Sequence, residues 1–185
     1  MLPHKPFYFI RHGETDWNKQ GRPMGTTDIQ LNDYGIEQAW SAAHSLMGEE
    51  ISSIVASPLQ RALKMAEIIA EKIQKPITVI DNLKECCWGI YEGNPKAHDT
   101  YIQQWLNGAV FDGAETVQDF NLRVISAIKA ALEELPGPVL FVSHGGVYCA
   151  IQRILALPDT QVKNCIPIFH RPPEQKSTSW FVCEL

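Results

Sequence analysis

Three short stretches carry only apolar side chains: residues 7–10 (FYFI), 54–56 (IVA) and 139–142 (VLFV). A strand wetted on one face alternates apolar and polar residues, so an unbroken run of strand length is covered on both faces. Between these runs the apolar spacing becomes helical. Ile36, Ala39, Trp40, Ala43 and Met47 follow a candidate cap at Asn32, and Leu59, Ala62, Ala66, Ile69 and Ile73 follow Ser57-Pro58, which reads as cap and first helical residue. Val117, Phe120, Val124, Ile128, Ala131 and Leu135 follow Thr116, whose partner in a capping box is Asp119. Val147, Ala150, Ile151 and Ile154 close the series. Further strands are expected at 76–80, 165–169 and 179–183, a short helix near 96–106, and loop over 13–30. Buried strands alternating with amphipathic helices predict an α/β fold with a mostly parallel sheet covered on both faces. No repeat or composition break divides the chain, so residues 1–185 are expected to form a single domain.

The bulk properties exclude several function classes. The 185 residues are 45% hydrophobic and 20% charged, with a net charge of -5. A duplex-binding protein carries a basic surplus, so nucleic acid is not an expected partner. The five cysteines are odd in number, two are adjacent, and none form a CxxC pair. They read as free thiols of a reducing compartment, with neither a disulfide framework nor a zinc site. The run at 7–10 is too short for a signal-peptide core, and no segment reaches the roughly 18 apolar residues of a membrane helix. The expectation is a cytoplasmic protein without a membrane partner. The apolar residues 166–169 suit sheet core or a homodimer interface equally.

The ends of the strands carry the chemistry. The run at 7–10 delivers Arg11-His12-Gly13, and the run at 139–142 delivers Ser143-His144-Gly145-Gly146. In open α/β sheets, ligands bind outside the carboxyl ends of the strands. Parallel neighbours ending this way bring His12 and His144 to one crevice. The run at 54–56 leads to Arg61 in the first turn of the next helix, whose unpaired backbone N–H groups favour an anion. Each residue alone suits an ordinary strand end. Two arginines, two histidines and a helix N-terminus together suit a phosphate, which the planar arginine fork matches.

With those residues in view, the chain resembles the histidine phosphatase superfamily, also called the phosphoglycerate mutase-like family. "RHGETDWN" is similar to its phosphohistidine motif, "SPLQRALKMAEII" to its second motif with Arg61, "LKECCWGIYEG" to its acidic motif with Glu85, and "VSHGG" to its last motif with His144. The resemblance implies a three-layer α/β/α sandwich of phosphoglycerate mutase-like fold. It also implies a metal-independent, cofactor-free phosphatase acting on phosphorylated small molecules. His12 would form a phosphohistidine, Glu85 would serve as acid and then base, and Arg11, Arg61 and His144 would hold the phosphate oxygens. Asn18, Thr15, Gly25, Trp88 and Gly145 are the implied substrate-binding positions. Glu92 is expected to be a solvated loop carboxylate.

Departures from the family pattern favour hydrolysis over mutase chemistry. Met24 stands where phosphoglycerate mutases carry a small hydroxyl residue, and residues 86–115 are short, with Lys96 as their one base. That stretch is aromatic and is expected to cover the crevice, with Trp17 and Trp88 lining it and Tyr101 and Trp105 packed within. A weakly charged rim suits an uncharged leaving group. α-Ribazole phosphate and a sugar phosphate are equal candidates. The competing functions are a cofactor-dependent phosphoglycerate mutase and a non-catalytic phospholigand-binding protein. Of the remaining histidines, His98 and His170 are expected nearest the crevice.

Overall fold

The computed structural model describes residues 1–94, 98–174 and 179–185. The chain begins with strand β1 (Phe7–Arg11), helix α1 (Asp16–Lys19), α2 (Asp33–Ser45), β2 (Ser53–Ala56), α3 (Gln60–Ile73) and β3 (Ile77–Val79). There follow α4 (His98–Leu106), α5 (Val117–Glu134), β4 (Val139–Ser143), α6 (Gly145–Ile154), β5 (Ile168–Arg171) and β6 (Phe181–Glu184). The expected helix start at Lys96 lies outside the described residues, as does the side chain of His98.

The strands form one sheet in the order β3-β2-β4-β1-β5-β6. β3, β2, β4 and β1 pair in parallel, while β5 and β6 join antiparallel at one edge. Alternation along each strand divides the core between the two faces. Phe7, Phe9 and Phe141 pack on one face with Phe120, Val124 and Ile128 of α5 and Val147 and Ile151 of α6. Tyr8, Ile10, Leu140 and Val142 pack on the other with Ala39 and Ala43 of α2 and Met65 and Ile69 of α3. The result is the expected sandwich, a mostly parallel sheet between two helical layers. No described helix is long and apolar enough to cross a membrane.

Local expectations fare differently. Asn32 caps α2 by accepting from Gly35 N at 2.8 Å, and Thr116 caps α5 by accepting from Asp119 N at 3.1 Å. α3 starts later than Ser57-Pro58 suggests, with Leu59 at the cap position. Its first turn is completed from a distance, since Asp28 accepts from Gln60 N at 2.7 Å and from the Gln60 amide at 3.2 Å. β5 begins at Ile168 rather than Cys165, which holds a left-handed φ of 57° unsuited to a ladder. Asn164 and Cys165 instead extend along the end of β1, where Cys165 N donates to Arg11 O at 3.0 Å. The expected loop at 13–30 contains α1, capped by Thr15.

Candidate active site

β1 and β4 lie side by side, with Arg11 opposite Ser143 in the register. The chain leaves both strands at the same edge, and His12 N still donates to Ser143 O at 3.0 Å. The rings of His12 and His144 stand 5.3 Å apart, centroid to centroid. His12 Nδ1 lies 2.8 Å from the Gly13 carbonyl. A carbonyl only accepts, so the proton of the neutral ring sits on Nδ1 and Nε2 keeps a free lone pair. Asn164 grips the same turn from outside, its amide donating to His12 O at 2.6 Å. A side chain at Gly13 would collide with Gly35 of α2, so this turn has glycine because the α2 N-terminus packs against it.

Both histidines are held neutral. Burial depresses the His12 pKa well below the ordinary value, and the Arg61 and Arg11 charges depress it further. His144 is lowered likewise, by burial and then by Arg61, His12 and Arg11. His144 Nε2 lies 2.7 Å from Ser57 Oγ, which also accepts from Leu59 N at 3.3 Å. A Ser57 hydroxyl that donates to Nε2 leaves the His144 proton on Nδ1, and one that accepts from Nε2 puts it there instead. Ser57 thus serves the site, where its position in the sequence suggested only a helix cap.

Glu85 enters from the loop before residue 86. Its carboxylate accepts from Cys86 N at 2.8 Å and from Gly146 N, in the first turn of α6, at 2.9 Å. Those bonds, Arg61 and Arg11 all favour the charged form, yet burial outweighs them and the Glu85 pKa is raised. Arg61 is fully buried and donates to Gly25 O at 2.7 Å and Thr27 O at 3.0 Å. Burial lowers its pKa to about 10, which leaves it a cation at neutral pH. Arg11 donates to Val162 O at 3.1 Å. The Nε atoms of Arg11 and Arg61 and the Nδ1 of His144 are buried and find no partner among the described residues. Unpartnered guanidinium nitrogens on two arginines whose charges act on both histidines suit the oxygens of an anion.

A cavity of about 320 Å³ opens at this point, lined by Arg11, His12, Glu85, Gly145 and Gly146 together with Asn18, Arg22, Met24, Trp88, Ile102, Trp105 and Val162. A separate, larger groove of about 650 Å³ is lined by Asp16, Asp28 and Asp33 and is too acidic for a phosphate. Of the other residues read from the sequence, Asn18, Trp88 and Gly145 line the cavity, while Thr15, Gly25 and the fully buried Arg61 and His144 do not. The Thr15 hydroxyl is occupied in the α1 cap, donating to Asn18 Oδ1 at 3.2 Å. Gly25 contributes its carbonyl to Arg61, and any side chain there would strike Glu92 and Cys86. Trp17 is not in the cavity wall but faces the acidic groove, with the Arg22 guanidinium 4.2 Å above its ring. His170 is fully buried and stacked on Phe7 at 4.3 Å, away from the crevice. Tyr101 packs on Tyr91, and Trp105 donates to Glu115 O at 2.7 Å while one edge lines the cavity.

Glu92 is not the solvated carboxylate the sequence suggests. It accepts from Thr26 N and Thr27 N at 2.8 Å each, from Trp88 N at 3.1 Å, and from both threonine hydroxyls. Burial alone would raise its pKa, but these bonds hold it below the ordinary carboxylate value. Glu92 thereby fixes the turn whose carbonyls orient Arg61. No local motif announces this role, because the two threonines lie 66 and 65 residues away.

A family model described as histidine phosphatase superfamily (branch 1) matches residues 7–168. The chain is 33% identical over 156 residues to the uncharacterized phosphatase PhoE of Bacillus subtilis, covering 84% of this chain and 79% of that protein. It is also 33% identical over 161 residues to the probable phosphoglycerate mutase GpmB of Salmonella choleraesuis, covering 82% and 75%. Among solved structures, a mycobacterial glucosyl-3-phosphoglycerate phosphatase in complex with VO3 superposes with a TM-score of 0.82 at 25% identity, over 97% of this chain and 98% of that one. TTHB049 of Thermus thermophilus superposes with a TM-score of 0.76 at 27% identity, over 97% and 98%. With a family match over residues 7–168 and relatives 33% identical over most of its length, the chain belongs to the histidine phosphatase superfamily, branch 1.

Proposed function

We propose that this protein is a metal-independent phosphatase that hydrolyses small-molecule phosphomonoesters through a phosphohistidine on His12. The observation that carries this reading is the set of buried, unpartnered nitrogens on Arg11, Arg61 and His144 around a neutral His12. The free Nε2 lone pair of His12 attacks phosphorus, and the bond from phosphorus to the ester oxygen breaks. Glu85, whose burial raises its pKa and so favours the protonated form, gives its proton to the leaving oxygen. The resulting carboxylate then takes a proton from water. The water oxygen attacks phosphorus, the bond to Nε2 breaks, and phosphate leaves. Arg11, Arg61 and His144 stabilise the charge spread over the equatorial oxygens, and the two guanidinium groups supply the positive charge that a metal would otherwise bring.

The wall above the phosphate site is largely apolar, with Met24, Trp88, Ile102, Trp105 and Val162. It supports an uncharged leaving group, with α-ribazole phosphate and sugar phosphates as the first compounds to try and residues 86–115 as the cover. A mutase reading draws on the relative named as a probable phosphoglycerate mutase and on Arg22 in the cavity wall. Arg22, however, already donates to Gly93 O at 2.8 Å and Gln20 Oε1 at 3.3 Å and lies over Trp17. Those bonds leave it poorly placed to grip a second acidic group. Purified protein assayed with EDTA on a panel of phosphomonoesters and on 3-phosphoglycerate separates the readings. Phosphate release without isomerisation supports the phosphatase. Isomerisation outpacing release, or activity abolished by EDTA, overturns it.

A further inference from the structure

The backbone carbonyls of residues 82–85 are all taken, and one side chain takes three of them. Arg123 of α5 donates through Nη1 to Asn82 O and Lys84 O at 2.8 Å each, and through Nη2 to Glu85 O at 3.1 Å. The remaining carbonyl of this run, Leu83 O, accepts from Ser143 Oγ at the end of β4 at 2.8 Å. Arg123 is itself held by a two-pronged pair with Glu115, Nε to Oε1 at 2.6 Å and Nη2 to Oε2 at 2.8 Å. Both partners are largely shielded from water, with side chains 21% and 18% exposed. A bidentate, partly buried pair of this kind fixes a guanidinium far better than a surface ion pair does.

We infer that the Arg123–Glu115 pair is a positioning device for Glu85, holding the backbone that aims its carboxyl at the leaving oxygen. The inference rests on the reading of Glu85 as the acid–base group. Neither residue lines the cavity, so neither touches the substrate. Glu85 needs such support because the chain supplies little rigidity there: a short 3-10 turn, Asp81–Leu83, is the last regular element before it. The side-chain bonds of Glu85 to Cys86 N and Gly146 N settle its rotamer only if its backbone stays in place. Lysine cannot replace the fork, since a single ammonium cannot grip three carbonyls and both oxygens of Glu115 in one plane.

Aryl phosphates of graded leaving-group acidity test this. p-Nitrophenyl phosphate expels a good leaving group that needs little protonation, whereas phenyl phosphate needs the proton from Glu85. For Arg123→Ala, kcat/KM on phenyl phosphate is expected to fall by about a hundredfold, within the usual range of general acid catalysis, and on p-nitrophenyl phosphate by roughly threefold. In a Glu85→Gln background the same substitution should add almost nothing, because it acts through a group already disabled. Equal losses on both esters, or the same loss in the Glu85→Gln background, overturn the inference. A Glu85→Gln variant that shows no selective loss on phenyl phosphate overturns the acid–base reading itself, a separate and distinguishable result. If Arg123→Ala fails to fold by circular dichroism, Arg123→Lys and Glu115→Gln replace it, with smaller losses of the same ester selectivity expected and unselective losses again contradicting the inference.

Discussion

The Glu85 carboxylate accepts from the backbone N–H of Gly146 at 2.9 Å, and a methyl group at position 146 would occupy the space that the carboxylate fills. The acid–base candidate thus sits on the N-terminal turn of α6 because residue 146 has no side chain. Gly146→Ala is expected to lower kcat by at least about tenfold by displacing the proton donor. Thermal stability should fall as well, since a displaced carboxylate loses a hydrogen bond of about 1.5–3 kcal/mol, more than the roughly 0.5–1 kcal/mol that alanine gains over glycine in a helix. Steady-state kinetics beside a melting curve check both halves. Activity and stability both intact would be the opposite result.

The pH dependence of activity follows from the two opposed shifts. His12 must be neutral to attack, and its pKa lies well below the ordinary histidine value of 6.5, so the acid limb of kcat/KM is expected below pH 6.5. Glu85 must be protonated to donate, and its pKa is raised from 4.5, so the alkaline limb follows its deprotonation. In Glu85→Gln, with p-nitrophenyl phosphate as substrate, that alkaline limb should disappear while the acid limb stays.

Stability should fall with acid for a related reason. His12, His144 and His170 are all buried with lowered pKa values, His170 to about 4. Between those values and 6.5 the unfolded chain binds protons that the folded chain does not, so stability is lost as pH falls through 6.5. Melting temperatures measured from pH 8 to pH 4, in a buffer without phosphate, should decline from about pH 6.5, the unperturbed histidine value.

The Ser57 hydroxyl lies 2.7 Å from His144 Nε2, and this contact fixes the orientation of the ring. Ser57→Ala is expected to reduce kcat by about tenfold, the worth of one well-placed hydrogen bond of about 1.4 kcal/mol. Inorganic phosphate should raise the melting temperature of the native protein by satisfying the unpartnered donors, and raise it less in Ser57→Ala. Calorimetry with and without phosphate reads this.

Much of the fold was legible because it depends on local pattern. The apolar runs marked β1, β2 and β4, and the caps at Asn32 and Thr116 marked α2 and α5. The strand ends likewise carried His12 and His144 to one place. What stayed hidden depends on partners far apart in the chain. Asp28 completes the first turn of α3 across 32 residues, and Glu92 fixes the turn at 26–27 across 65 or 66. Ser57 meets His144 across 87 residues, and Asn164 holds His12 across 152. No periodicity encodes such contacts, because they arise only once the sheet brings its loops together. Thr15 and Gly25 show the converse: both stand at motif positions, yet their groups are occupied in holding Asn18 and Arg61.

The central claim is the covalent step on His12, and rapid quenching with a phosphate-labelled ester tests it most directly. The expected result is label on the intact protein that is acid-labile and base-stable, located at His12, and absent from His12→Ala. A His12→Ala variant that keeps full turnover, or wild-type protein that turns over without ever carrying label, would contradict it.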